Sequence, residues 1–166
     1  MGVLRPFRSP AAFLDAALAT GTLTAIATGG ALLGLGWREG EAGRVFRLAG
    51  RGLLESFGVA SGTAPLSSVA LGYVHHLAIA TAWGTLLAFG VLPWKSTTVR
   101  VLVTIAGALG YVALVTRLMP APLRIGYAVT GSLPTAVPMG AALAVALLGG
   151  AWLADSQQDD GDEEIG

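Results

Sequence analysis

Four long apolar stretches, separated by more polar segments, dominate the pattern of this chain. They cover residues 11–36, 66–92, 99–119 and 134–153. The only charged residues in them are Asp15, Arg100 and Arg117, all near a stretch end. Each stretch reaches the roughly 20 residues that an α-helix needs to cross a hydrocarbon core about 30 Å thick. The pattern therefore predicts an all-α integral membrane protein with four transmembrane helices and both termini on one side.

Polar segments flank this predicted transmembrane domain, which spans residues 11–153. Residues 1–10 form a short basic flank, and residues 154–166 form an acidic tail. Between Asp155 and Gly166 the tail has six acids and no base, a composition that predicts a disordered, solvated segment. The first apolar stretch is longer than the 7 to 15 residues typical of a signal peptide, so we expect it to be retained as a helix.

The first loop contains a second kind of pattern, an amphipathic helix over about 43–58. In a helix, Arg44, Arg47 and Arg51 share one face. Phe46 and Phe57 fall on the opposite face, which suits a position at the lipid headgroups. Gly50 and Gly52 weaken such a helix away from a membrane or partner. Two alternatives stay open: a helix that packs on its own bundle, and a helix that binds lipid or a partner.

An internal repeat is a further hypothesis. Ser61-Gly62-Thr63-Ala64-Pro65 matches Thr130-Gly131-Ser132-Leu133-Pro134 at an offset of 69, and the same offset pairs Ala82-Trp83 with Ala151-Trp152. Each copy offers a hydroxyl N-cap and an early proline at the start of a helix, and a tryptophan suited to the far interface. The match favours two parallel helix-loop-helix halves, although chance similarity between helix starts explains it almost as well.

Composition supports the membrane assignment and narrows the chemistry. Hydrophobic residues make up 54% of the chain and charged residues 12%, against about a quarter charged in soluble domains. The net charge is zero, so nothing indicates nucleic-acid binding. Cysteine is absent, which excludes disulfides and thiolate sites. Nine arginines against one lysine favour a bacterial source, and we expect a multi-pass protein of the inner membrane.

Small residues mark the helix faces that we expect to be in contact. Lipid is as apolar as a neighbouring helix, so helices in a bilayer associate where small residues let their backbones come close. In the first helix Ala17, Gly21, Ala25 and Gly29 recur every four residues. Beside them runs a hydroxyl row of Thr20, Thr24 and Thr28, which we interpret as packing in preference to a polar path. In the third helix the expected contact pair is Ala106 and Gly110.

The two histidines, His75 and His76, are the candidates for a functional site. His76 shares a four-residue spacing with Gly72 and Gly84 and so falls in a small-residue seam, whereas His75 is rotated from it by about 100°. An imidazole at this depth needs to be neutral and hydrogen-bonded. The favoured interpretation is hydrogen bonding between helices. Ligation of a haem or pigment by either histidine is the alternative, and the cofactor stays unknown.

Function is less well determined than location. An ion pair between Asp15 and Arg100 is one option at a common interface, but no catalytic or metal-binding constellation appears, so we do not expect an enzyme. The leading hypothesis is an accessory or assembly subunit of a larger membrane complex, with the lipid bilayer, other membrane subunits or further copies of itself as partners. The alternatives are a cofactor-binding redox subunit and a small oligomeric transporter or channel. Arginine counts leave the orientation open.

Overall fold

The protein is built from helices. The computed structural model describes residues 4, 7–58, 65–113 and 133–163. In chain order its helices are α1 (Pro10–Arg38), α2 (Arg44–Ser56), α3 (Pro65–Val91), α4 (Thr97–Ala113) and α5 (Leu133–Glu163). These ranges contain no strand, and a single antiparallel bridge joins Leu4 to Trp94. The all-α class expected from the sequence is confirmed.

Three helical segments are long and apolar enough to cross a membrane: Pro10–Arg38, Leu66–Val91 and Val137–Ser156. A shorter apolar helix covers Thr97–Gly110. These features are those of a helical membrane protein. The predicted 99–119 helix is described only as far as Ala113. Two segments of the proposed repeat, residues 61–64 and 130–132, also lie outside the described residues.

The central element is α3, which packs against each of the other four helices. On α1 the first turn is fixed locally, because the Ser9 hydroxyl accepts a hydrogen bond from the Ala12 amide at 3.1 Å and Pro10 occupies the first helical position. Trp83 packs against the hydrophobic core, whereas Trp152 is 67% exposed. The two tryptophans paired in the proposed repeat therefore occupy different surroundings.

Threonine side chains lie directly over glycines where α1 meets α3 and α5. A Cβ atom added at Gly84 of α3 would come within 2.7 Å of the Thr24 Cβ on α1. One added at Gly150 of α5 would come within 2.4 Å of the Thr20 Oγ1. Any side chain larger than hydrogen would push these helices apart, since real Cβ atoms do not approach so closely.

The contact between α2 and α3 is closer still. A Cβ at Gly50 would lie 1.9 Å from the Ser68 carbonyl oxygen, and one at Gly72 would lie 1.9 Å from the Phe46 carbonyl oxygen. From the sequence we predicted that Gly50 weakens α2. In the structure the missing side chain of Gly50 allows the backbones of α2 and α3 to approach each other. Of the residues assigned to the interface, Phe46 is 1% exposed inside the protein, and Phe57 follows the helix and is 77% exposed.

A partly buried ion pair joins α4 to α5. The Arg100 guanidinium donates to both Asp155 carboxylate oxygens, at 2.6 and 3.1 Å, and its Nε donates to the Trp94 carbonyl oxygen at 2.5 Å. Arg100 therefore pairs with Asp155 and not with Asp15, the option that the sequence had offered, and Asp15 is exposed. The helix boundary also differs: α5 runs on through Glu163, whereas the sequence predicted it to end at 153 before a disordered tail.

The packed face of α4 is not the one that small residues suggested. Arg100, Thr104 and Ala108 are at most 8% exposed, whereas Ala106 and Gly110 are exposed, and a Cβ at Gly110 would meet nothing within 4 Å. The reason is electrostatic: burying Arg100 against Asp155 sets the rotation of α4 about its axis, and residues four and eight positions further on face inward with it.

We expect Gly50→Ala to loosen α2 from α3, because the added methyl group would overlap the Ser68 carbonyl. Overpacking of this kind costs roughly 1–3 kcal/mol. Limited trypsin digestion at the arginines of α2 measures the effect as faster cleavage. Gly52→Ala is the matched control, since a Cβ there meets nothing within 4 Å; equal cleavage rates in the two variants would contradict the close contact.

Asp155→Asn is expected to lower the thermal midpoint of the purified protein, because it leaves the Arg100 charge buried with less compensation. Arg100 and Asp155 have side-chain exposures of 10% and 38%. Once solvent screening at the more exposed aspartate is allowed for, the loss is roughly 1–2 kcal/mol. The same change at the exposed Asp15 should leave the midpoint unaltered, and a similar drop in both variants would count against the pair.

Candidate functional site

The threonine row of α1 lies inside the bundle, and each of its hydroxyl groups donates a hydrogen bond within α1. Thr20, Thr24 and Thr28 are each at most 1% exposed. Their hydroxyls donate to carbonyl oxygens of the preceding turn, on Ala16, Thr20 and Thr24, at 2.7, 2.9 and 2.7 Å. Hydroxyls bonded in this way add no free donor to the helix surface. The row therefore presents methyl groups and oxygen lone pairs to α3 and α5.

His76 is the functional candidate that the fold encloses most completely. The residue is 6% exposed on α3, and its Nε2 lies 3.2 Å from the Thr28 hydroxyl oxygen. Its Cδ2 would touch a Cβ at Gly29 of α1 at 3.6 Å. The ring is thus held in the seam between α1 and α3 that the four-residue spacing indicated.

The hydrogen bonds around Thr28 favour one tautomer of His76. A hydroxyl group has a single proton, and Thr28 donates it to the Thr24 carbonyl at 2.7 Å. The contact at 3.2 Å therefore has Nε2–H as the donor and the Thr28 oxygen as the acceptor.

Sequence reasoning missed the contribution of α2 to this site. The Phe46 ring packs edge-on against both Tyr73 and His76, with ring centroids 5.2 and 5.7 Å apart. The signal was present as matched spacing: Phe46 and Gly50 are four residues apart on α2, as are Gly72 and His76 on α3. Two such pairs lie together when the helices cross at their glycines. Phe46 thereby closes one side of the histidine site.

His75 occupies different surroundings, as its rotation on α3 predicted. It is half-buried. Among the residues that the structure describes, none forms a hydrogen bond or ion pair with the His75 ring. The two histidines therefore do not converge on one point, and a centre that uses both from a single chain is incompatible with this geometry.

The arginines of α2 lie on its outer side. Arg44 and Arg47 form ion pairs with Glu39 and Glu41, the first at 3.2 Å, while Arg51 is exposed. Exposed pairs of this kind contribute little to stability. Their position separates a polar outer face from the face that carries Phe46 and Gly50.

Two kinds of binding site are relevant to the described residues, a group of metal ligands and a ligand-sized groove. No cluster of three histidine or acidic residues with metal-site spacing occurs there. A groove of about 100 Å³ between α1 and α5 is lined by residues that include Thr20, Leu23 and Gly150, and by neither histidine. Sites for drug-sized ligands and cofactors occupy roughly 300–1,000 Å³, so this groove is too small for a haem.

The tautomer assignment can be tested by ¹⁵N NMR of histidine-labelled protein. We expect His76 to carry its proton on Nε2, and Thr28→Val to shift that resonance and cost roughly 1 kcal/mol, because one acceptor is lost. Thr22→Val is the matched control: Thr22 lies on the same helix and donates to the Leu18 carbonyl at 3.0 Å, but it is exposed. A proton on Nδ1 of His76 would refute the assignment.

Comparison with known proteins assigns no family to the chain. No protein-family model, no curated protein and no solved structure matches it. What this site can do must therefore be inferred from its own burial, contacts and hydrogen bonds.

Proposed function

We propose that the chain is an accessory or assembly subunit of a larger membrane complex, which acts as a scaffold for partner helices. The observation that carries the proposal is the closed interior of the described bundle. The hydroxyls of Thr20, Thr24 and Thr28 donate to their own helix, and His76 is bonded to Thr28 and covered by Phe46. Polar groups engaged in this way stabilise helix contacts and offer little for chemistry or conduction.

The outer surface supports the same function. Large apolar side chains are exposed on all of the longer helices, including Ile26 on α1, Val74 on α3, Leu102 on α4 and Val145 on α5, each at least 60% exposed. In a bilayer such side chains face lipid or the helices of partners. A protein with a rigid interior and apolar outer faces is suited to holding other membrane subunits in place.

The proposal includes four membrane crossings, formed by α1, α3, the helix that begins with α4, and α5. Both termini then lie on one side, and the two halves run parallel. Support comes from the three spans of sufficient length, from the apolar Thr97–Gly110 segment and from the apolar sequence that continues to residue 119. We place the protein in a bacterial inner membrane, on the weaker basis of its composition.

In this arrangement α2 is an amphipathic helix that lies in the membrane interface. Its inner face is anchored by Phe46 and Gly50 against α3. Arg51 and the partly exposed Arg44 lie on its outer side, at a level where headgroups are available. Phe57, 77% exposed just beyond the helix, would then contact lipid or a partner subunit.

The other two functions receive less support from this geometry. A cofactor bound to the Nδ1 nitrogen of His76 would have to enter beside a ring that is 6% exposed and covered by Phe46. A transport path along α1 would have to open the contacts of Thr24 with Gly84 and of Thr20 with Gly150. Neither function is favoured by a specific contact or cavity in the described residues.

Gentle detergent extraction from native membranes, followed by native mass spectrometry and visible absorption, tests the proposal. We expect a species heavier than the 16.8 kDa chain that contains an identified integral membrane protein in fixed stoichiometry and shows no visible absorption band. A partner-free monomer would contradict the accessory role. A coloured protein that loses its band in His76→Leu would establish the cofactor-binding alternative in its place.

A further inference from the structure

The charges of this chain are divided between the two ends of the proposed four-helix bundle. The connection from α1 to α3, which contains α2, and the connection from α4 to α5 together have six bases and three acids. The rest of the chain, near its termini and around the turn between α3 and α4, has four bases and seven acids. A chain with no net charge therefore has one positive end, formed by residues 37–58 and 114–132 and called the basic end below.

Two exposed arginines of the basic end have no anionic partner in the chain. The two acids of the turn between α1 and α2 are paired with other arginines. Arg38 and Arg51 are exposed, and among the described residues neither forms an ion pair, not even with the exposed Glu55. Residues 59–64 and 114–132, which lie outside the described part, contain no acid. An anion that neutralises these two arginines has to come from outside the chain.

The depth of α2 follows from the point where it crosses α3. Gly72 of α3 lies against the Phe46 carbonyl group of α2, and it is six residues after Leu66, where the span Leu66–Val91 begins. Six residues rise by about 9 Å, and the whole span measures about 39 Å, against a hydrocarbon core of about 30 Å. The crossing therefore lies within about 5 Å of the hydrocarbon edge, the depth typical of interfacial amphipathic helices.

Exposed aromatic side chains occur at the same end. Trp37, directly before Arg38 at the end of α1, and Phe57, just after α2, are each 77% exposed. Tryptophan prefers the headgroup level of a bilayer, and phenylalanine on an interfacial segment contacts the acyl boundary. The exposed arginines thus share their end of the bundle with side chains that suit a membrane surface.

We propose that the basic end binds the anionic surface of a lipid bilayer, with Arg38 and Arg51 contacting the phosphates of anionic phospholipids. The planar guanidinium group matches two phosphate oxygens at once. Each arginine near an anionic membrane surface strengthens binding by about five-fold. An acidic protein would also neutralise the arginines, but it would not explain the depth of α2 or the exposure of Trp37 and Phe57, and a lipid surface explains both.

This inference rests on the proposed function, from which it takes the membrane crossings and the interfacial position of α2. It goes further by naming the class of lipid and the two arginines that bind it. The two proposals can fail separately. A monomer that binds anionic lipid without partner subunits would contradict the accessory role alone, and a complex without preference for anionic lipid would contradict the lipid contact alone.

Native mass spectrometry of the full chain tests the contact, with phosphatidylglycerol and phosphatidylcholine of identical acyl chains supplied in equal amounts. We expect the protein to retain more phosphatidylglycerol, and Arg38→Gln and Arg51→Gln each to lower the ratio of the two bound lipids about five-fold. Lys95→Gln is the matched control, because Lys95 is exposed in the turn between α3 and α4 at the opposite end. It removes the same charge and should leave the ratio unaltered.

Glu55→Gln tests the same contact with the opposite sign. Glu55 is exposed one turn after Arg51 on α2, so removing its negative charge is expected to raise the ratio of bound phosphatidylglycerol to phosphatidylcholine. A merely structural role of the arginines would predict no such increase. Arg51→Lys should retain part of the preference, since lysine keeps the charge and loses the planar fork. An unchanged thermal midpoint verifies the fold of each variant.

Four results would overturn the proposal. The first is equal retention of the two lipids by the unaltered protein. The second is a loss in Lys95→Gln as large as the loss in Arg51→Gln. The third is displacement of phosphatidylglycerol by inorganic phosphate, which would indicate a site for the free ion. The fourth is an acidic protein subunit whose binding is lost in Arg51→Gln while the lipid ratio is unaltered, which would indicate a protein partner for the basic end.

Discussion

The separation between helix backbones is the constraint on which the rest of this structure depends. In a bilayer, helices gain little from burying apolar side chains, because lipid is as apolar as the protein interior, and they associate where their backbones come close. Here closeness is achieved by pairing a side chain of one helix with a glycine of the next. Thr24 lies over Gly84, Thr20 lies over Gly150, and α2 meets α3 at Gly50 and Gly72. Each contact would be lost with a single added methyl group.

The same contacts explain how polar side chains are accommodated. Threonine has the shape of valine and a slightly smaller volume, and its hydroxyl can bond to the preceding turn, so a threonine row packs as an apolar surface would. His76 fits beside Thr28 because the Thr28 hydroxyl donates its hydrogen bond to the Thr24 carbonyl, so that the Thr28 oxygen can accept one from the ring. The interior of the described bundle therefore accommodates a histidine whose Nε2 contact is made to a neighbouring helix, and this is the physical basis of the proposed accessory function.

Two contacts bring the remaining helices into place. Phe46 attaches α2 to the histidine site, so that a helix from the first loop becomes part of the core. At the other end of the sequence, Arg100 and Asp155 join α4 to α5. A buried arginine is costly unless it is paired, and this requirement fixes which face of α4 turns inward. Ser68 and Thr104 are exceptions among the described residues, because their hydroxyl groups are buried without a hydrogen-bond partner.

The sequence by itself determined the class of protein, the approximate extent of its apolar helices and the seam that contains His76. These follow from composition and from spacing along one helix, which are local properties. It did not determine which helices meet. The pairing of Arg100 with Asp155, the burial of Phe46 and the inward face of α4 depend on residues distant along the chain. Gly50 shows the difference most clearly: taken alone, a glycine weakens a helix, and only the approach of α3 makes its missing side chain necessary.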